Sequence, residues 1–212
     1  MKLYHYIHCP FCLRVRMCLG YLNISYESIV LPYDDEKTLS QMGQKKMLPL
    51  LEFKDGSLLN ESLDIMAKLD QQNTLSTQEA LKDSSLMNLI EQIGKVVHPL
   101  AMPYWVYSYE FSESARNYFV NKKEKSKGPF SKLFKRRENL KKEALELINR
   151  DIAPYLSNFY QSSQITLPDL LLASHLWGLY MVPEFQFPAK VHLYLQQVKE
   201  LCRFDYHEDF WK

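Results

Sequence analysis

Residues Lys2–Leu22, KLYHYIHCPFCLRVRMCLGYL, put a strand pattern, a close cysteine pair and a helix pattern in immediate succession. Lys2–Ile7 alternates aromatic and aliphatic residues, as a strand does. From Pro10 to Leu22 the apolar positions 13, 15, 17, 18, 19 and 22 suit a mostly buried helix. Proline is favoured at the first helical position, where its missing N–H costs nothing. Cys9 therefore falls at the N-cap and Cys12 at the third helical position. Uncapped amides and the positive end of the helix dipole then face the Cys9 sulfur and favour thiolate over thiol. Cysteine pKa values in such settings drop to ~3.5–7.5 from ~8.5. Cys12 lies deeper in the first turn and close enough to attack a disulfide formed on Cys9. The pair reads as an attacking thiolate with a resolving partner.

Two other readings compete. A zinc site would recruit His5 or His8 beside Cys9 and Cys12, but zinc wants four ligands and the chain has no second CxxC or HxxxH. The second alternative is a pair of inert core thiols. Cys18 and Cys202 suit that description, since both fall on apolar helical faces without activating neighbours.

Outward from the cysteine pair, Tyr26–Leu31 and Leu48–Phe53 read as two more strands, and Asp35–Gln44 as a short helix or loop. Asp55-Gly56 is a two-residue hairpin signal, so Ser57–Asn60 is expected to pair back antiparallel. Glu61–Gln71 reads as helix. The order β-α-β-α-β-β-α gives a small mixed sheet with helices on its faces. The polar run at 72–78 fits a linker. Beyond it the pattern is helical: Leu81, Leu86, Ile90, Ile93 and Val97 line one face. Leu133, Leu140, Ala144, Leu147 and Ile148 line a long helix after Gly128-Pro129, and TLPDLLLASHLWGLY and AKVHLYLQQVKEL supply two more. The expected division is an α/β domain over 1–72, a linker over 73–78 and an all-α domain over 79–212.

The 212 residues are 46% hydrophobic and 24% charged with a net charge of +1, so no global field selects nucleic acid or membrane. MKLYHYIHCP lacks the long apolar stretch of a secretory signal. The apolar run from Leu167 to Pro183 is interrupted by Asp169 and His175 and is too short and polar to span a bilayer. With sparse cysteines, the expected compartment is the reducing cytoplasm.

CPFC after an N-terminal strand resembles the active site of the glutaredoxins, and the series CPFC…GQKKMLP…NESLDI resembles the two-domain bacterial glutaredoxins, with a glutathione-transferase-like overall fold. That resemblance implies a thioredoxin-like first domain and a helical second one. It implies a glutathione-dependent thiol-disulfide oxidoreductase in which Cys9 and Cys12 are catalytic. It also implies a cis proline at Leu48-Pro49, and glutathione contacts from Pro10, Phe11, Leu48, Pro49, Glu61 and Ser62. Glu61 would pair with the γ-glutamyl amine. Ser62 and the helix-start amides would take the adjacent carboxylate. Glu61 and Ser62 also simply suit a first helical turn. Glutathione would be a co-substrate, with no cofactor bound permanently and no metal. The partners would be disulfide-containing or glutathionylated proteins, with neither nucleic acid nor membrane, and the chain is expected to be a monomer. A phenylalanine stands where many glutaredoxins have tyrosine. Thr166-Leu167-Pro168-Asp169 resembles the capping box that starts a core helix of transferase-type second domains, flanked by Ile165 and Leu170 at staple positions. Its role is folding.

Two further classes stay open on the residues alone: a cysteine-type glutathione transferase or dehydroascorbate reductase, which would not need Cys12, and a non-enzymatic glutathione-binding sensor. Lys122–Lys142 holds ten basic and two acidic residues; such a segment either attracts acidic partners or glutathione or, as is expected here, forms a solvated helix–loop–helix surface. The aromatic run Tyr104–Tyr109 fits either a cleft wall or interdomain packing.

Overall fold

The computed structural model describes residues 1–204. The expected domain end at 212 lies outside the described residues. A four-stranded sheet in the order β2-β1-β3-β4 is built from β1 (Lys2–His5), β2 (Glu27–Val30), β3 (Leu50–Glu52) and β4 (Leu58–Leu59). β1 pairs parallel with β2 and antiparallel with β3, and β3 pairs antiparallel with β4. Leu3, opposite Ser28 on one side and Leu51 on the other, is fully buried at the sheet centre. The strands are shorter than the patterns suggested: Tyr6 and Ile7 leave the ladder and carry the chain toward the cysteine pair.

The β3–β4 connection corrects the two-residue hairpin. Phe53 N–H donates to Ser57 O at 2.9 Å, enclosing three residues, and Gly56 N–H donates to Phe53 O at 3.0 Å. Gly56 takes φ +81°, a left-handed conformation that needs glycine, which is the three-residue form of hairpin loop.

α1 (Pro10–Tyr21), α2 (Thr38–Gln41) and α3 (Ser62–Leu69) complete the first part. α1 packs against α3 and also against α9 (Leu167–Leu176) of the helical part. The helical part further comprises α4 (Thr77–Ala80), α5 (Ser84–Trp105), α6 (Glu113–Lys127), α7 (Phe130–Lys135), α8 (Arg137–Leu147) and α10 (Ala189–Leu201). The fold is thus an α/β thioredoxin-like sheet region followed by an all-α region.

The single long helix expected after Gly128-Pro129 is broken. Arg136 (φ −96°, ψ 3°) separates α7 from α8, and a π-helical turn at Ile148–Ile152 ends the run. The face was read correctly: Leu133, Leu140, Ala144, Leu147 and Ile148 are all buried. α6 was not anticipated because it buries only Ala115 and Phe119, too few to print a periodicity. α9 ends at Leu176 and tightens into a 3₁₀ turn over Trp177–Met181. At its start the Thr166 N–H donates to Asp169 Oδ2 at 2.7 Å, half of the capping box. Asp169 also accepts from Tyr160 N–H at 2.8 Å and from Tyr194 Oη at 2.9 Å, so this buried carboxylate ties three segments together. Among the described residues no helix is long and apolar enough to cross a membrane.

Candidate functional site

Cys9 is the N-cap of α1, with Pro10 at the first helical position and Cys12 at the third. Cys9 is half-buried and Cys12 fully buried, and both are free thiols. No side chain caps the helix, so its amides are left for the Cys9 sulfur. A hydrogen bond from the Cys12 thiol lowers the Cys9 pKa to about 6, against the opposing effect of burial. The field of His8 and the N–H groups of Cys12 and Phe11 act in the same direction as the Cys12 bond. Cys12 is pushed well above its ordinary value by burial and by its bond and repulsion with Cys9. Its sulfur also accepts from Tyr6 N–H at 3.5 Å. The two sulfurs are thus electrically unequal: one is an anion near neutral pH, the other its hydrogen-bond donor.

Cys9 opens into a cleft of about 220 Å³ between the sheet region and the helical region. Pro10, Phe11 and Leu48 line it on the sheet side, and His98, Met102, Trp105 and Phe119 on the helical side. The Leu48-Pro49 peptide is cis. Phe11 is exposed, with the Arg14 guanidinium 4.8 Å from its ring centre and the His175 ring edge-on at 5.7 Å.

Of the residues singled out in the sequence, Cys9, Pro10, Phe11 and Leu48 line this cleft, whereas Cys12, Pro49, Glu61 and Ser62 do not. Glu61 is the exposed N-cap of α3. Ser62 is buried, and its Oγ accepts from Arg14. Cys18 and Cys202 are buried thiols whose pKa values burial raises, Cys202 to about 12.

Several cleft residues escaped the sequence reading. Lys122, exposed, and Lys123, partly buried, line the cleft from the basic segment, although neither was singled out within it. Burial lowers the Lys123 pKa, and the Cys9 charge opposes that. Lys46 pairs with Glu36 at 2.9 Å and stands 4.2 Å over the Tyr118 ring. The aromatic run splits: Trp105 is buried in the cleft wall, while Tyr107 and Tyr109 are exposed. His8, weighed in the sequence only as a zinc ligand, is buried beside Cys9, with its Nδ1 2.9 Å from Glu110 Oε2. Adjacency to the N-cap thiol was the available signal for His8. Glu110 had none, being 102 residues away. Among the described residues no group of three or more His, Cys, Asp or Glu could hold a metal ion.

Comparison with known proteins yields two family models. Residues 3–77 match the N-terminal domain of glutathione S-transferases, and residues 85–209 match the C-terminal domain of glutaredoxin 2. Glutaredoxin 2 of Escherichia coli strain K12 is 30% identical over 194 residues, spanning 90% of each chain. The crystal structure of glutaredoxin 2 from Salmonella typhimurium in complex with glutathione superposes with a TM-score of 0.87 at 29% identity, covering 98% of this chain and 96% of that one. A glutathione S-transferase of Ceriporiopsis subvermispora, also in complex with glutathione, superposes with a TM-score of 0.75 at 13% identity over 97% of each chain, a likeness of fold.

Proposed function

The chain belongs to the glutaredoxin 2 family, and from that premise we propose that it is a glutathione-dependent thiol-disulfide oxidoreductase whose chemistry runs through Cys9 and Cys12. The observation that carries this reading is the inequality of the two thiols: Cys9 lowered to about 6, and Cys12 held as a thiol beside it.

The Cys9 thiolate attacks one sulfur of a substrate disulfide R–S–S–R′. A Cys9–S–S–R bond forms and R′–S⁻ leaves. Cys9 then carries no charge, so the repulsion that held the Cys12 proton in place is gone. Cys12 loses its proton and attacks the Cys9 sulfur, R–S⁻ leaves, and an intramolecular disulfide remains. Two molecules of glutathione reduce it in succession, giving glutathione disulfide and restoring both thiols. When R is glutathionyl, a second glutathione can attack the mixed disulfide directly, and Cys12 is bypassed.

In this reading Pro10, Phe11, Leu48 and Pro49 seat glutathione against Cys9, and Glu61 and Ser62 at the start of α3 take its γ-glutamyl end. The substrates are protein disulfides and glutathionylated proteins. The enzyme works as a cytoplasmic monomer, with a catalytic domain over 1–72, a linker over 73–78 and a helical domain from 79 onward.

The test is glutathione-coupled reduction of hydroxyethyl disulfide by wild type, Cys9→Ser and Cys12→Ser. Wild type should turn over and Cys9→Ser should be inactive. Cys12→Ser should keep the small-disulfide route and lose reduction of protein disulfides. An inactive wild type, or an active Cys9→Ser, overturns the assignment.

A further inference from the structure

Glu110 belongs to the helical region, in the segment between α5 and α6, yet its side chain is 1% exposed and spends both oxygens on the opposite domain. Oε1 accepts from Ile7 N–H at 2.8 Å. Oε2 accepts from His8 N–H at 3.1 Å and lies 2.9 Å from His8 Nδ1. These residues immediately precede Cys9. Past the end of β1, the two amides that follow Tyr6 are therefore satisfied by a single carboxylate from more than a hundred residues away. Burial alone would raise the Glu110 pKa. The His8 ring and the backbone donors outweigh it and hold the carboxyl below its ordinary value.

The His8 ring is enclosed by aromatic rings from both domains. Tyr6 stacks on it at 5.6 Å, Tyr33 and Trp105 lie at 5.7 and 5.5 Å, and Phe111 and Phe119 at 5.0 and 5.3 Å. Aromatic faces attract a cation, and a buried carboxylate at hydrogen-bond distance does so more strongly. The titratable groups facing His8 are Cys9 on its own loop, Tyr6 and Tyr33 from the sheet domain, Glu110, and His98 on α5. Lys46, Lys122 and Lys123 share the cleft.

We infer that Glu110 is a positioning residue for the Cys9 thiolate, acting through His8: the helical domain supplies the carboxylate that orients the imidazole and balances its charge beside the attacking sulfur. The inference rests on the assignment of Cys9 as nucleophile, and it gives the helical domain a part in tuning that nucleophile. The sign of its effect is diagnostic. As a bare negative charge, Glu110 would raise the Cys9 pKa, as it does that of Cys12. Acting through His8, it lowers it.

The experiment is the pH dependence of Cys9 alkylation by iodoacetamide, followed by mass spectrometry on the full chain. It needs no turnover, so it separates failure of this inference from failure of the oxidoreductase reading. Glu110→Gln keeps the side chain's shape and an acceptor, and should raise the Cys9 midpoint by about one unit. His8→Gln should raise it similarly, and the double variant should show no further rise, because both act through one pair. Should Glu110→Gln not fold, an unmoved midpoint in His8→Gln still overturns the inference. A midpoint that falls or stays put in either variant, or shifts that add in the double variant, overturns the inference.

Discussion

Arg14 on α1 donates to Ser62 Oγ at the start of α3 from two nitrogens, Nε at 3.0 Å and Nη2 at 2.5 Å, with both side chains buried. The pair joins the helix that carries the cysteines to the helix expected to hold the γ-glutamyl group. Burial lowers the Arg14 pKa to about 10, and the charges of Cys9, Cys12 and Glu61 oppose that shift. Ser62→Ala deprives a buried guanidinium of its acceptor, which costs ~1–3 kcal/mol. The urea midpoint should fall accordingly with an unchanged slope. An unaltered midpoint would mean that Arg14 finds another acceptor and that the bond contributes nothing net.

The Cys9 thiolate sets the pH profile. With a pKa near 6, alkylation and disulfide reduction should both rise through about pH 6 and level off above it, while Cys12 stays unreactive across that range. Stability follows in sign. A depressed folded-state pKa stabilises the reduced protein fully only above the unfolded value of ~8.5, and the gain is lost as pH falls through about 6. Cys9→Ser should flatten that part of the stability profile. Equal slopes for wild type and variant in urea titrations between pH 6 and 8.5 would contradict the depressed pKa.

Lys122 and Lys123 carry ammonium groups into the cleft with no carboxylate within ion-pair distance among the described residues. Their expected contribution is attraction of a substrate that bears carboxylates. Replacing both by Gln should lower kcat/KM for a carboxylate-bearing mixed disulfide by about twofold to fivefold in low salt, and less in high salt. A single turnover on neutral hydroxyethyl disulfide with no glutathione present should be unaffected. Equal losses on both substrates would point to altered packing around Phe119, over which Lys123 lies at 5.6 Å.

The placement of the cysteine pair was legible because its geometry is local: strand, proline and helix fix Cys9 and Cys12 within four residues. The capping box at Thr166 and the helix α10 were legible for the same reason. What the sequence hid is long-range. The Glu110 contacts to Ile7 and His8, the Arg14 contact to Ser62 and the lysines in the cleft depend on how two regions dock, and none leaves a periodic trace. The long helix after Pro129 was misread because a hydrophobic face survives a break. A one-residue departure at Arg136 leaves Leu133 and Leu140 on the same side.

Docking of the two regions also gives opposite expectations for two glycines that look alike in sequence. A Cβ on Gly20, near the end of α1, would fall 1.8 Å from the carbonyl oxygen of Cys202, the residue that caps α10. A backbone oxygen cannot swing aside, so one helix must move away from the other. Gly20→Ala should destabilise by ~1–3 kcal/mol or more. At Gly94, inside α5, a Cβ would meet only His98 and His175 ring atoms at 3.5 and 3.6 Å, ordinary contact distances. There the helix-propensity gain of ~1 kcal/mol over glycine is available. Calorimetry should therefore show a lower Tm for Gly20→Ala and an equal or higher one for Gly94→Ala. A Gly20→Ala protein as stable as wild type would mean that α1 and α10 are not held as closely as this packing requires.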